Sequence, residues 1–429
     1  MREKVINARV NLKGTSATRN RDTVLDTPLS VAGCVLLYVI LLLESPLETF
    51  VPGFNYFDEA IFIGSSICAC LVLWHRKEHL RGRLGLILVL SLVVVLIGLA
   101  GNVFNIYQRN AVAIVSEIIA FLKFPFTLVA FIILLENVDC DRVIDGCACV
   151  SRFFILLCFV FCLINIVVPT AGLGHDMRNG VLSFRFIYSH PTFLVLSLVM
   201  SFAVLEAQKG GVSVWKILCL FVMAMTMRDK GFGFIAFVAF MWIFKIYRKK
   251  RLFKYFLLAG GIVLIAVSSK IAEYMSFSNS PREALYAVTT QIALSAFPFG
   301  GGFASIASPL SGRYYSNAYF LFGLSDMDGL TPLHYYDTGD AGVPYYLGQF
   351  GFIGLFFAVV SIVLLVSYLF KLCPAGSSRR GALISLIGYI VIAITVETVL
   401  SNASGLMIAI LMAIIAGGKH CRDIKNFTE

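Results

Sequence analysis

Read on its own, the sequence predicts an all-α polytopic membrane protein. It has about twelve transmembrane helices, both termini in the cytoplasm, and one long extracytoplasmic loop between helices 9 and 10. Three observations lead there. The chain has 429 residues, of which 59% are hydrophobic and only 14% charged, with a mean hydropathy of +0.85; soluble domains are about 45–50% apolar and about 25% charged. Apolar runs approaching the ~20 residues that a spanning helix needs recur along the chain. The basic residues sit between those runs in short clusters, such as Arg248 to Arg251. A soluble fold, a disordered chain and a secreted disulfide scaffold all fit poorly.

The apolar segments fall near 28–43, 60–74, 84–104, 111–135, 147–168, 190–207, 214–227, 231–246, 255–269, 343–370, 381–397 and 402–417. The first is no cleavable signal, because a long polar stretch precedes it and spanning continues after it. The chain therefore divides into a cytoplasmic tail (1–27), membrane helices 1–9 (28–269), the long outer loop (270–342), helices 10–12 (343–417) and a second cytoplasmic tail (418–429). With the N-terminus inside, 26 of the 35 Lys and Arg lie in cytoplasmic loops or at their helix ends. Eight lie outside (Arg109, Arg178, Arg185, Arg228, Lys230, Lys270, Arg282 and Arg313), and Lys123 lies within a span. That asymmetry satisfies the positive-inside rule. The net charge of +10 thus reads as loops facing anionic lipid, and no nucleic-acid partner is expected. All eleven cysteines fall in helices or cytoplasmic segments, away from oxidising surroundings. No metal site is expected, since Cys147 and Cys149 lack a metal spacing.

The outer side carries the candidate chemistry. Loops as long as 270–342 tend to be functional, and a shorter polar segment, 169–189, lies on the same side. Within the long loop, Ser280-Pro281 with Glu283 in the first turn predicts a helix over Pro281 to Ala296. Phe297-Pro298-Phe299-Gly300-Gly301-Gly302-Phe303 is a breaker run, read either as a flexible turn or as a place of close ligand approach. Arg178, Arg185, Arg228 and Arg282 are outer arginines, which the positive-inside rule disfavours. Guanidinium binds phosphate bidentately, so the set suggests an anionic ligand such as a pyrophosphate at the membrane surface; headgroup snorkelling, or pairing with Asp176, Asp229 or Glu283, is the plainer explanation. Three histidines, His175, His190 and His334, share that side. His334 with Asp337 and Asp340 makes a candidate base. Asp326, Asp328, Asp337 and Asp340 match no EF-hand spacing, and Ser305, Ser308 and Ser311 read as ordinary loop serines. Within the membrane, Glu117 and Lys123 share one helix about 240° apart around its axis, so each needs a partner from elsewhere.

Four stretches give the chain a family likeness. They are Arg178 through Arg185 to His190-Pro191; Thr226-Met227-Arg228; Ser280-Pro281-Arg282-Glu283 running on to Pro298 and Gly300-Gly301-Gly302; and Asp340 through Tyr345-Tyr346 to Gly351 and Gly354. In this order, with a long outer loop between the second and the fourth, they resemble the O-antigen polymerase and ligase superfamily, the Wzy-like and WaaL-like membrane glycan transferases. Two positions depart from its pattern. Met227 stands where serine is common, and Asp340 stands where the ligases carry a histidine, with His334 six residues earlier. The second departure favours a polymerase.

The resemblance implies a glycosyltransferase of the bacterial cytoplasmic membrane that builds O-antigen or capsule. It would transfer a growing glycan from undecaprenyl pyrophosphate onto an incoming lipid-linked repeat unit, without metal or cofactor. Arg178, Arg185, Arg228 and Arg282 would hold the pyrophosphates, with Arg282, Asp340 and His334 at the reacting centre. Tyr314, Tyr315, Tyr335 and Tyr336 would stack on sugars. The partners implied are the undecaprenyl-pyrophosphate-linked oligosaccharide, the lipid bilayer and a polysaccharide chain-length regulator. The rivals are an O-antigen ligase, an O-acetyltransferase-like membrane enzyme and, from a different class, a lipid-linked oligosaccharide flippase. A flippase would line a central cavity with its charges and show internal symmetry, which the sequence lacks.

Overall fold

The computed structural model describes residues 29–51, 53–76, 82–178, 180–245 and 280–417. The tails 1–27 and 418–429, the ninth apolar segment at 255–269 and the start of the long loop lie outside the described residues. Every other predicted apolar segment is a helix. In chain order these are α1 (Val31–Leu42), α2 (Glu44–Phe50), α3 (Phe57–Arg76), α4 (Gly82–Asn105), α5 (Ala111–Leu134), α6 (Cys140–Val167), α7 (Pro191–Gln208), α8 (Val214–Met225), α9 (Asp229–Ile243), α10 (Pro281–Ser295), α11 (Pro309–Arg313), α12 (Asn317–Leu321), α13 (Gly342–Leu372), α14 (Ser378–Ala393) and α15 (Ala403–Ala416).

Among the described residues, six helices are long and apolar enough to cross a membrane, or seven if α1 and α2, bent by 68°, count as one span. Helices α8, α9, α14 and α15 have 12, 15, 16 and 14 residues, short of the ~20 that crossing alone requires. Helix α15 explains its own shortness: Gly405 through Ala416 are all buried, as expected for a helix apolar on every side at the centre of a bundle. It packs against α5, α6, α7 and α14. Helices α3, α4, α6 and α13 form the outer wall and present Ile67, Trp74, Leu96, Phe153 and Phe356 outward. Exposed apolar side chains in such density suit a lipid surround rather than water.

Capping sets several helix starts. Helix α6 begins at Cys140, seven residues before the predicted segment, because the Asp139 side chain accepts from the Arg142 amide at 3.3 Å. Ser280 accepts from the Glu283 amide at 3.4 Å and opens α10, at the position its Ser-Pro pair predicts. Segments predicted on one side of the membrane meet one another. Arg379 pairs with Asp141 at 2.6 Å, Gln208 donates to Asp145 at 2.8 Å, and Ser378 donates to the Ala207 carbonyl at 2.7 Å. At the opposite end, Asn317 donates its amide to the Tyr107 carbonyl at 3.0 Å and Thr398 donates its own to the Gly339 carbonyl at 3.2 Å.

Two features depart from the predicted all-α fold. The polar segment 169–189 contains an antiparallel hairpin of β1 (Gly174–Arg178) and β2 (Val181–Phe184). An Asn-Gly turn sequence between short alternating runs is a strong local hairpin signal, and it outweighed the helical setting. The long loop is also no flexible turn at its glycines. Gly300 through Ser308 are all buried, wedged between α4 and a break in α13, where Gly351 has φ 62 and ψ −171. The Gly301 and Gly302 amides donate to the Gly348 and Gln349 carbonyls at 2.8 and 2.9 Å. Asn102 accepts from the Phe303 amide at 2.7 Å and donates to its carbonyl at 2.9 Å. A Cβ at Gly302 would lie 2.3 Å from the Asn102 nitrogen. The chain's own backbone fills the space that the sequence left open to a ligand.

Candidate functional site

The site lies at the end of the bundle where the hairpin, the α8–α9 turn, the long loop and the α14–α15 connection meet. Its centre is Asp176 on β1. The carboxylate accepts from Arg178 Nε at 2.7 Å, from Arg228 Nη2 at 2.9 Å and from the Ser183 hydroxyl, while His175 Nδ1 lies 3.2 Å away. Burial pushes the Asp176 carboxyl up, but the Ser183 and Arg178 hydrogen bonds and the two guanidinium charges outweigh it and hold it well below the usual carboxylate range. Arg228 caps α9 after Met227 in a left-handed conformation, φ 52, and is only 8% exposed. Burial, then the Arg178 charge, lower its proton affinity, with Asp176 and Asp229 opposing. Its Nε is buried without a partner.

Beyond Arg228 the charges continue. His190 caps α7, its Nδ1 accepting from the Thr192 amide at 3.3 Å, and its ring packs edge-on to His175 at 4.9 Å. Lys230 pairs with Glu397 at 2.8 Å. Glu397 raises the electrostatic cost of charging Asp340, and Asp340 is held by Arg282: Nε donates to its carbonyl at 3.0 Å and Nη2 to its carboxylate at 3.2 Å. Burial pushes the Asp340 carboxyl up, Arg282 pulls it down, and Asp337 and Glu397 add to the rise, which prevails. Tyr286 of α10 donates to the Thr395 carbonyl at 3.4 Å, fixing α10 on the α14–α15 connection.

Arg178, Arg228 and Arg282 therefore belong to one run of charges, as the sequence reading grouped them. The anions that join them are the chain's own, Asp176 and Asp340. Arg185 differs. Among the described residues its Nη1 reaches the Ser189 carbonyl alone, at 3.4 Å, and its Nε is buried without a partner. Among the described residues no carboxylate pairs with it. His334 stands apart: its side chain is 67% exposed and 3.6 Å from Asp328, to which Tyr336 also donates, at 2.9 Å. Tyr335 and Tyr336 are exposed, whereas Tyr315 packs on Tyr319 and Phe320 and donates to the Leu330 carbonyl at 2.8 Å. Glu397 and Lys230 complete the run. Sequence reading placed Lys230 only among the outer basic residues and passed over Glu397, whose partner is 167 residues away.

The two intramembrane charges find separate partners, as their angular spacing requires. Lys123 pairs with Asp58 at 2.5 Å and Glu59 at 2.6 Å of α3. Glu117 accepts from the Ser308 hydroxyl at 2.5 Å. Ser308 and Ser311 form a capping box that opens α11, and both are fully buried, so they are packing elements rather than exposed loop serines. No group of three or more His, Cys, Asp or Glu suited to holding a metal occurs among the described residues.

No family model matches this chain, and no curated protein matches it. The likeness to the glycan transferases is carried by the four sequence stretches quoted above.

Proposed function

We propose that the protein is a polysaccharide polymerase of the bacterial cytoplasmic membrane. In this reading it has twelve spans with both termini inside, and it moves a growing O-antigen or capsule glycan from undecaprenyl pyrophosphate onto an incoming lipid-linked repeat unit at the outer face. The observation that carries the reading is the run of Arg178, Arg228, Lys230 and Arg282 at one end of a helical bundle, with Arg185 beside it and two buried guanidinium Nε donors unpartnered. Transfer breaks the bond between sugar C1 and the pyrophosphate oxygen, and negative charge grows on the leaving group. Preorganised guanidinium donors stabilise such charge as it develops. Asp340, fixed by Arg282, orients the acceptor; Tyr335, Tyr336 and His334 offer exposed rings to the sugar chain; and a chain-length regulator is the expected protein partner.

The test is the surface-polysaccharide ladder of a strain lacking the gene, complemented with wild type or with Arg282→Ala. Single repeat units without the gene, and a full ladder on wild-type rescue, are expected. Arg282→Ala at normal protein level should give mostly single units. A strain in which no repeat unit reaches the surface would favour the ligase or the flippase. The flippase has one observation on its side, the Lys123–Asp58–Glu59 cluster inside the bundle, since buried ionisable groups often line transport paths. An unchanged ladder without the gene would rule out the polymerase for that polymer.

A further inference from the structure

A transferase of this kind needs a base for the acceptor hydroxyl, and neither residue expected to serve is well placed. Arg282 holds both the carbonyl and the carboxylate of Asp340, and His334 lies apart on Asp328. A different pair of carboxyl groups lines a cavity whose Ser45 is linked through Ser189 to Arg185. Between α1 and α2 the helix breaks, with Leu43 at φ −103 and ψ 10. The carbonyl of Leu42 accepts instead from Tyr188 Oη at 2.6 Å and Ser197 Oγ at 3.1 Å. Broken helices at membrane depth persist where the freed backbone is buried in protein or lines a polar cavity. Here the break opens onto a cavity of about 210 Å³ lined by Leu42, Glu44, Ser45, Glu48, Tyr188 and Asn402, among others. At about 30 Å³ per water, that is room for roughly seven waters, the scale of one sugar ring.

Glu44 is only 5% exposed. Among the described residues, the side chain within hydrogen-bond reach of its carboxyl is Glu48, another carboxyl, and a hydrogen bond between two carboxyls requires one of them to carry a proton. A nearly buried carboxyl thus lines the cavity, and among the described residues no amide, hydroxyl or cationic group donates a hydrogen bond to it. The cavity adjoins the anion site. Ser45 Oγ lies 3.4 Å from Ser189 Oγ, and the Ser189 carbonyl is the acceptor for Arg185. Phe193 and Ser197 of α7 line the cavity, while His190 caps that helix toward the charged run. Asp58 and Glu59 lie nearby and take both salt bridges of Lys123, whose charge reaches Glu44 only at longer range; among the described residues the Glu44–Glu48 pair has no salt bridge of its own. Carboxylate oxygens are hydrogen-bond acceptors, so a cavity lined by Glu44 and Glu48 suits a hydroxyl-bearing occupant.

We propose that this cavity receives the acceptor sugar, and that the Glu44–Glu48 pair takes the proton from its attacking hydroxyl; the proposal rests on the transferase reading above. The step balances. The acceptor O–H proton passes to the carboxylate, the acceptor oxygen bonds to C1 of the donor glycan, and the C1–oxygen bond to pyrophosphate breaks. The electron pair leaves with the lipid pyrophosphate beside Arg185 and Arg228. The carboxyl proton is then released to solvent before the next turnover.

The test uses purified full-length protein in nanodiscs and lipid-linked repeat unit extracted from the deletion strain. Wild type should make polymer. Glu44→Gln and Glu48→Gln should lower kcat by about 10²–10⁴-fold, the usual contribution of a general base. Both should leave KM and retention of the radiolabelled lipid-linked unit near wild type, and the more active variant should lose the acidic limb of the pH–rate profile. Ser404 also lines the cavity, so Ser404→Leu narrows it without replacing a carboxyl and should raise KM for the acceptor several-fold. It answers the question if the Gln variants fail to fold. Failure of wild type to polymerise would overturn the transferase reading itself. Polymer from wild type together with unchanged kcat and pH profile in folded Gln variants, or an unchanged KM in Ser404→Leu, would overturn the cavity assignment alone.

Discussion

His190 shows how much one side chain in this site can do. Burial pushes its imidazole down to about 4, helped by Arg228, His175 and Lys230 and opposed by Asp176. The same ring caps α7 through Nδ1, which must be unprotonated to accept from Thr192. An unfolded histidine titrates near 6.5. Between about pH 6.5 and 4 the unfolded state therefore binds more protons than the folded state, so stability rises with pH across that window. His190's contribution is complete above about pH 6.5 and is lost as the pH falls toward 4. Asparagine caps a helix at least as well and does not titrate. His190→Asn should accordingly flatten this part of the melting-temperature profile in detergent between pH 4 and 6.5, while its melting temperature at pH 7.5 stays near wild type. A variant whose profile falls as steeply as that of wild type would remove His190 from the account. Asp176 acts in the same sense at lower pH: its folded-state value is depressed, so its contribution is complete above the ordinary carboxylate range and is lost only as the pH falls below it.

At the scale of elements, the long loop enters the bundle as a structural wedge, and its glycines set the tolerance. Gly302 has φ +87, and a Cβ there would press on the Asn102 backbone. A left-handed conformation costs an L residue about 1–2 kcal/mol, and the clash adds to that. Gly323 is the control, since it has φ +68 and nothing within 4 Å. Gly302→Ala should lower the melting temperature clearly more than Gly323→Ala does. Asn102→Ala should cost about 1–3 kcal/mol for each Phe303 group it leaves unpaired. Equal effects of the two glycine variants would mean that the wedge is not tightly packed in solution. Legibility in the sequence divides here. The apolar runs, the Ser280-Pro281 helix start and the separation of Glu117 from Lys123 were readable, because each depends on local periodicity or capping. The wedge was not, because three glycines read alike whether they lie against solvent, a ligand or a helix 200 residues away. The Asn-Gly hairpin was readable and was masked by its helical surroundings.

Across the whole molecule, what the sequence could not supply was pairing. It offered four outer arginines and Asp176 as one possible partner among three carboxylates, but not that Asp176 joins two of them, that Asp340 holds a third, or that Glu397 ties Lys230 into the same run. Those partners lie from 2 to 167 residues apart along the chain, and only the folded bundle selects them. The same bundle turns a charge count into a test of sidedness. Contacts among segments predicted to be cytoplasmic (Arg379 with Asp141, Gln208 with Asp145) gather at one end, and those among segments predicted to be outer gather at the other. Alternation of the helices requires this whichever end faces the cytoplasm; the positive-inside asymmetry chooses the orientation. Single cysteines in a cysteine-depleted protein separate the two parts of the argument. In intact cells an impermeant maleimide should label Leu333→Cys, whose parent side chain is 86% exposed, and should spare Arg142→Cys until the membrane is opened. The reverse pattern would keep the bundle and invert it, moving the arginine run to the cytoplasm and ending the polymerase reading. Labelling of both positions from outside would break the alternation itself, and with it the grouping of Arg178, Arg228 and Arg282 on a single face of the membrane.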